Sequence, residues 1–174
     1  MSTRPLKAAT QPSESAVRIF AANERINQNL IEELDPAVWN AKTHGNVRTI
    51  AAIFTHMHNV RCKWVRLTAP HLSVPAQLNR AHCTPEQARL GLAESGARCS
   101  EMLAEALSGR GRITSFLRDG WAQPWPVGPE MLCYMVAHEA HHRGQVSILA
   151  HQLGFPLPKK VMAGMWNWEK LLKE

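Results

Sequence analysis

Apolar residues recur along this chain at three- and four-residue intervals, and prolines at 5, 12, 36, 70, 75, 85, 124, 126, 129, 156 and 158 cut that pattern into segments. The long proline-free intervals predict helices. The first begins after Ser13 or Ser15 and ends at Leu34, because Asp35-Pro36 stops it, and its stripe is Ile19, Phe20, Ile26, Leu30, Ile31 and Leu34. Asn23 and Asn27 interrupt that stripe; they could hydrogen-bond across a pocket, although exposure is the commoner state of asparagine. A second helix is predicted over residues 46–68, with Val47, Ile50, Ile53, Phe54, Met57, Val60 and Trp64 facing inward. His56 and His58 flank this stripe on opposite edges. Arg61 falls inside it, where an arginine snorkels out by default, or else pairs with a buried carboxylate or faces an anionic ligand.

Residues 70–83 read as a linker. Thr84-Pro85-Glu86-Gln87 then gives a complete start signal, with Thr84 as cap, Pro85 at the first position and Gln87 reaching back as in a capping box. The third helix runs to about Ser108, with Ala93, Ala97, Met102, Leu103 and Leu107 expected inside. Residues 109–128 turn irregular and read as a surface connection; Arg110 and Arg112 among glycines are a weak anion motif, and Trp121 and Trp125 could line a pocket mouth. A long fourth helix follows over residues 130–154, entered through Pro129 and closed by Gly154. Beyond it Met162, Met165, Trp166, Trp168 and Leu172 are too apolar for a free tail, so a short helix docked on the bundle or on a partner subunit is expected. Strand-like alternation is lacking. The fold predicted is all-α: a four-helix bundle, most simply antiparallel, with a short extra C-terminal helix, in one domain over residues 13–174 after a flexible leader over 1–12.

The fourth helix carries the chemistry. At about 100° per residue, Met131, Met135, His138, His142, Val146, Leu149 and Leu153 share one arc of roughly 80°, the width of a core-facing stripe. Two imidazoles thus stand one turn apart at apolar positions, where each unsatisfied group would cost about 1–3 kcal/mol. A metal ion bound by both rings satisfies them; exposure to solvent or a bond to a carboxylate is the plainer alternative. His141 lies on a mixed flank beside them. The 174 residues, 45% of them hydrophobic, suffice for a stable core, and four cysteines scattered at 62, 83, 99 and 133 fit reduced thiols in a cytoplasm. The net charge of +6 is dispersed, so a mildly basic surface is a better account than nucleic-acid binding, and no run is apolar enough to span a membrane or to serve as a secretory signal.

His138-Glu139-Ala140-His141-His142 also satisfies H-E-x-x-H, in which the glutamate activates water at a zinc held by two histidines. The extended protease form fails, since Gln145 and Ile148 stand where its glycine and third histidine belong. Only Glu169 remains as a downstream carboxylate ligand. More residues are accounted for otherwise. I-F-T-H-M-H-N-V-R-C-K-W at 53–64, A-H-E-A-H-H-R-G-Q at 137–145 and the closing Leu153-Gly154 resemble the DinB/YfiT-like family of metal-binding four-helix bundles. Helical geometry alone does not choose between His56 and His58. The resemblance implies His56, His138 and His142 as ligands of a divalent metal, zinc or nickel first and iron or manganese as alternatives, and a homodimer. It also implies metal-dependent thiol transferase or isomerase activity, in which the metal would present a thiolate to an electrophile, both small molecules. Glu139 and Arg143 are weak catalytic candidates, as base and as a guide for an acidic thiol; a solvent-facing Glu139 or an i,i+4 pair between the two is the plainer expectation. A bundle that holds metal without catalysis is the main alternative, and an H-E-x-x-H hydrolase stands behind it.

Overall fold

A computed structural model describes residues 11–43, 45, 47–109, 111–118, 120 and 123–173. Residues 1–10 of the expected leader, together with His44, Asn46, Arg110 and Trp121, lie outside the described residues. Four long helices form the body: α1 (Pro12–Glu33), α2 (Ile50–Thr68), α3 (Pro85–Ala106) and α4 (Pro129–Gln152). A 3₁₀ turn, Pro36–Val38, follows α1, with the Asp35 carboxylate accepting from the Ala37 N–H at 2.8 Å. Helix α2 starts later than the apolar pattern predicts. The Thr49 hydroxyl accepts from the Ala52 N–H and caps the helix there, so Val47 falls outside it and is exposed. The capping box of α3 forms as read: Thr84 Oγ1 accepts from Gln87 N, and Gln87 Oε1 accepts from Thr84 N.

The four helices are not all antiparallel. One core cluster gathers the end of α1 (Leu30, Ile31), the start of α2 (Ile50, Phe54), the start of α3 (Ala88, Leu92) and the end of α4 (Val146, Leu149). The other gathers Phe20 with Trp64, Met102 and Met135, from the opposite ends of the same helices. So α1 and α4 point one way and α2 and α3 the other. Neighbours α2 and α3 therefore run parallel, and the chain between them has to return the length of the bundle. Residues 69–84 do so as an extended strap, pinned to α2 where Asn59 donates to the Leu78 carbonyl and accepts from the Leu78 N–H. Its far end is fixed where the Trp39 indole N–H donates to the Cys83 carbonyl.

The inner face of α3 holds Met102 and Leu103 as expected and differs in its first half. Ala93 and Ala97 are exposed, and Ala88, Gly91, Leu92, Ser95, Gly96, Cys99, Met102, Leu103 and Ala106 are buried. Small and polar residues lie inside because this face receives long polar side chains from α2. A Cβ at Gly91 would stand 3.1 Å from His58 Nδ1, and one at Gly96 would stand 3.1 Å from Arg61 Nη1. Two two-residue strands pair inside the connection to α4: β1 (Ser115–Phe116) lies antiparallel to β2 (Trp125–Pro126), with Phe116 opposite Trp125. After α4 come two short helices rather than one, α5 (Lys159–Gly164) and α6 (Trp168–Leu171). They dock on α1, where Leu171 packs with Ala22 and Ile26, and Arg18 donates to the Leu172 carbonyl at 2.8 Å. Among the described residues no helix is long and apolar enough to cross a membrane.

The box at the start of α3 gives a direct check. Thr84→Ala is expected to lower the unfolding free energy by about 1 kcal/mol in urea titration, with Thr84→Ser close to the parent protein.

Candidate metal centre

His56 on α2 faces His138 and His142 on α4. Their ring centroids are 5.4 Å (56 to 138), 4.8 Å (56 to 142) and 4.6 Å (138 to 142) apart. One nitrogen from each ring lies within 4.8 Å of the other two, the only such group of histidine, cysteine and carboxylate side chains found among the described residues. The Nε2 atoms of His138 and His142 are 3.2 Å apart. Two imidazoles bound at the usual 2.0–2.1 Å to one tetrahedral ion would place their nitrogens roughly 3.3 Å apart, so this spacing fits a shared cation.

The protonation of the rings also fits. Burial, then His142, Arg48, His138 and Arg80 together push His56 down to about 3. Burial, then His142 lower His138 to about 4, and burial first lowers His142 as well. All three are therefore neutral at pH 7, the form in which imidazole offers a lone pair. On His142 the tautomer is set: Nδ1 donates to Gln145 Oε1 at 2.7 Å, while the Gln145 amide nitrogen approaches His141 Nε2 at 3.1 Å. Nε2 of His142 thus keeps its lone pair and is the ring atom that could bind a metal. Nδ1 of His138 is buried without a hydrogen-bond partner. No hydrogen bond joins any of the three rings to a carboxylate among the described residues, so the plainer expectation of a carboxylate partner does not describe them. The three rings could hold a metal ion.

His58 is placed elsewhere. Its ring is fully buried, with Nδ1 2.7 Å from the Gly91 carbonyl and Nε2 2.9 Å from that of Ala76, and it ties α2 to α3 and to the strap. The symmetry between the two edges of α2 is broken by packing: α3 covers one edge and α4 approaches the other.

Aromatic rings close one side of the site. Trp64 meets His138 edge-on at 5.3 Å, and the Tyr134 ring stacks on it at 6.4 Å and 29°. Trp125 stands 5.7 Å from Tyr134. Arg118 lies over the outer face of Tyr134, with its guanidinium carbon 5.5 Å from the ring centroid. Arg48 and Arg80 act on His56, and Arg118 on His138, by charge. All three sit in irregular segments without periodicity, so nothing in the linear pattern marks them.

Glu139 and Arg143 behave unlike either expectation. Glu139 is 0% exposed and accepts four hydrogen bonds: Oε1 from Arg61 Nε at 2.6 Å, and Oε2 from Arg61 Nη2 at 2.7 Å, Asn23 Nδ2 at 2.5 Å and Asn27 Nδ2 at 2.7 Å. It does not pair with Arg143 directly. That guanidinium donates to the Oδ1 atoms of the same two asparagines, at 2.7 and 2.8 Å. Arg61 is 0% exposed and does not snorkel; beyond Glu139 it donates to the Leu92 carbonyl at 2.8 Å and makes a close ion contact of 2.5 Å with Glu24. Burial opposes charge on both partners, but their mutual attraction keeps Glu139 well below its ordinary range and Arg61 above its own. With both oxygens engaged and its side chain turned toward α1, Glu139 is not the free base that an H-E-x-x-H hydrolase requires.

Removing one partner of this pair would strand a buried charge. Glu139→Ala is expected to cost about 3–5 kcal/mol by urea titration, and the Glu139→Ala/Arg61→Ala double variant markedly less than the two single losses added together.

No match is found among curated proteins. A family model described as DinB family matches residues 7–166, and the chain, a helical bundle with a histidine cluster between α2 and α4, belongs to the DinB family.

Proposed function

We propose that this protein is a divalent-metal enzyme of the thiol S-transferase or isomerase type, with His56, His138 and His142 as the ligands. The observation that carries the reading is the convergence of three neutral imidazoles from two helices without a carboxylate among their hydrogen-bond partners. Three protein ligands are the complement of a site that keeps a coordination position for another molecule, whereas structural sites use four. An all-imidazole set suits zinc and nickel, with iron and manganese as the alternatives. When bound, such a cation lowers the pKa of a thiol or water held at it and polarises a carbonyl oxygen.

The chain's own residues set the conditions for that chemistry. Gln145 fixes the tautomer of His142. Trp64 and Tyr134 cover the aromatic side of His138 and exclude water there. The Arg61–Glu139 pair locks α2 against α4, so that rings from different helices stay within reach of one point. None of these three devices takes up a proton, so the proton given up by the thiol would pass to solvent or to the departing group.

Protein purified without an affinity tag is expected to carry about one divalent ion per chain by elemental analysis, and His142→Ala close to none, with unchanged far-UV circular dichroism. Removal of the ion by a chelator should lower the unfolding free energy by about 2.7 kcal/mol relative to protein at a hundredfold excess of metal over its Kd. Metal-dependent consumption of a low-molecular-weight thiol against a panel of electrophiles should vanish in His142→Ala. Full metal content with no thiol consumed would leave a metal-binding bundle without catalysis.

A further inference from the structure

Helix α4 presents a second face that the histidine site leaves unused. Val136, Ala140 and Gly144 follow one another at four-residue spacing, roughly 120–160° around the helix from His138 and His142. They line a cavity of about 440 Å³ from one side, and Met165, Trp166 and Trp168 of the docked C-terminal segment line it from the other. A space of this size is that of a small-molecule pocket. Small residues keep it open: a Cβ at Gly144 would meet nothing within 4 Å. Glycine weakens a helix interior, and neither a left-handed φ nor a close neighbour requires one at 144, so what it provides is the space itself.

Arg143 is the only charged residue that lines this cavity. It is 8% exposed, and both of its hydrogen bonds leave from Nη1, to Asn23 and Asn27. Nε and Nη2 have no partner among the described residues, yet they do not belong to the unbonded polar atoms sealed from solvent. They therefore face the open space that Arg143 lines. Parallel N–H groups on that edge of a guanidinium form the fork that grips both oxygens of a carboxylate. No carboxylate of the described chain fills it, since Glu139 is bonded to Arg61 and the two asparagines instead. Ser147, the other polar side chain at the cavity, donates its hydroxyl to the Arg143 carbonyl and so adds no donor for an anion. A desolvated guanidinium with no counter-charge in contact is unfavourable, and a bound anion offsets that. One fork in otherwise apolar surroundings matches a single negative charge; a dianion needs more donors than this cavity has.

We propose that this cavity binds a small monocarboxylate with an apolar body. Its carboxylate sits on Nε and Nη2 of Arg143, and its body lies over Gly144 against Met165 and Trp166. The site is separate from the histidine cluster and stands whether or not a metal binds there.

The test titrates the full chain, as purified, by calorimetry with 4-phenylbutanoate and with the neutral 4-phenylbutanamide. The butanoate is expected to bind about tenfold more tightly. Gly144→Leu fills the cavity from a helical position with room for a side chain, and should weaken both compounds at least about tenfold with unchanged far-UV circular dichroism. Arg143→Gln should bring the ratio of the two affinities to about one. Should that variant fail to fold, the ratio in the parent protein and the Gly144→Leu result decide. His142→Ala, on the far side of the helix, should keep the butanoate affinity within about twofold, whatever its metal content. Equal affinity for the two compounds, a preference that survives Arg143→Gln, or binding indifferent to Gly144→Leu would overturn the inference. Binding lost in folded His142→Ala would overturn it by placing the anion at the histidines. No binding of either compound would also overturn it, and a dimer dissociated by Gly144→Leu in sedimentation would then make this face an interface between copies.

Discussion

The Arg61–Glu139 pair is the constraint on which the rest of the arrangement depends. A charge-assisted fork between a guanidinium and a carboxylate is directional, and at zero exposure it has no water to substitute for a misplaced partner. It therefore sets both the rotation and the height of α4 against α2. The histidines inherit that registration: His138 is the residue before Glu139, and His56 lies on the same helix as Arg61, little more than a turn away. The remaining helices are tied to the same point, α1 through Asn23 and Asn27 and α3 through the Leu92 carbonyl and the space left by Gly96. A shift of any one helix would break bonds in the network before it moved an imidazole.

Adjacent residues on α4 thus serve opposite ends. Glu139 turns inward to a set of matched charges, while His138, about 100° away, faces α2 beside neutral rings. Saturating the carboxylate keeps negative charge available to balance Arg61 without lending it to the imidazoles as a hydrogen-bond acceptor. The histidine cluster is consequently unprotonated near neutrality through burial and neighbouring cations.

Much of this was legible in the linear pattern. The proline spacing delimited the helices, the capping box located the start of α3 to the residue, and the one-turn spacing of His138 and His142 on an apolar stripe marked the metal candidate. His56 came from a family resemblance, because the choice between the edges of α2 depends on which neighbour covers each. What stayed hidden shares one cause. Arg61, Glu139, Arg143, Asn23 and Asn27 each read as surface residues when taken singly, since the desolvation of any one alone would be prohibitive. They become interior residues only as a set, and the set spans α1, α2 and α4. The first half of α3 turns an unexpected face inward for the same reason, its glycines and serine being the recesses for polar side chains from α2, while Met102 and Leu103 are buried as the pattern predicts.

The parallel course of α2 and α3 has a consequence for how such a chain tolerates insertions over evolutionary time. The strap over residues 69–84 is stitched along its course, by Asn59 to both backbone groups of Leu78 and by His58 to the Ala76 carbonyl, so an added residue there would pull polar backbone away from buried partners. The connection between α3 and α4 joins ends that lie at the same pole of the bundle, and its small β pair can lengthen outward without disturbing either helix. Length is therefore free to drift beside the rings of Tyr134 and Trp125, and is held constant where the frame is laced together.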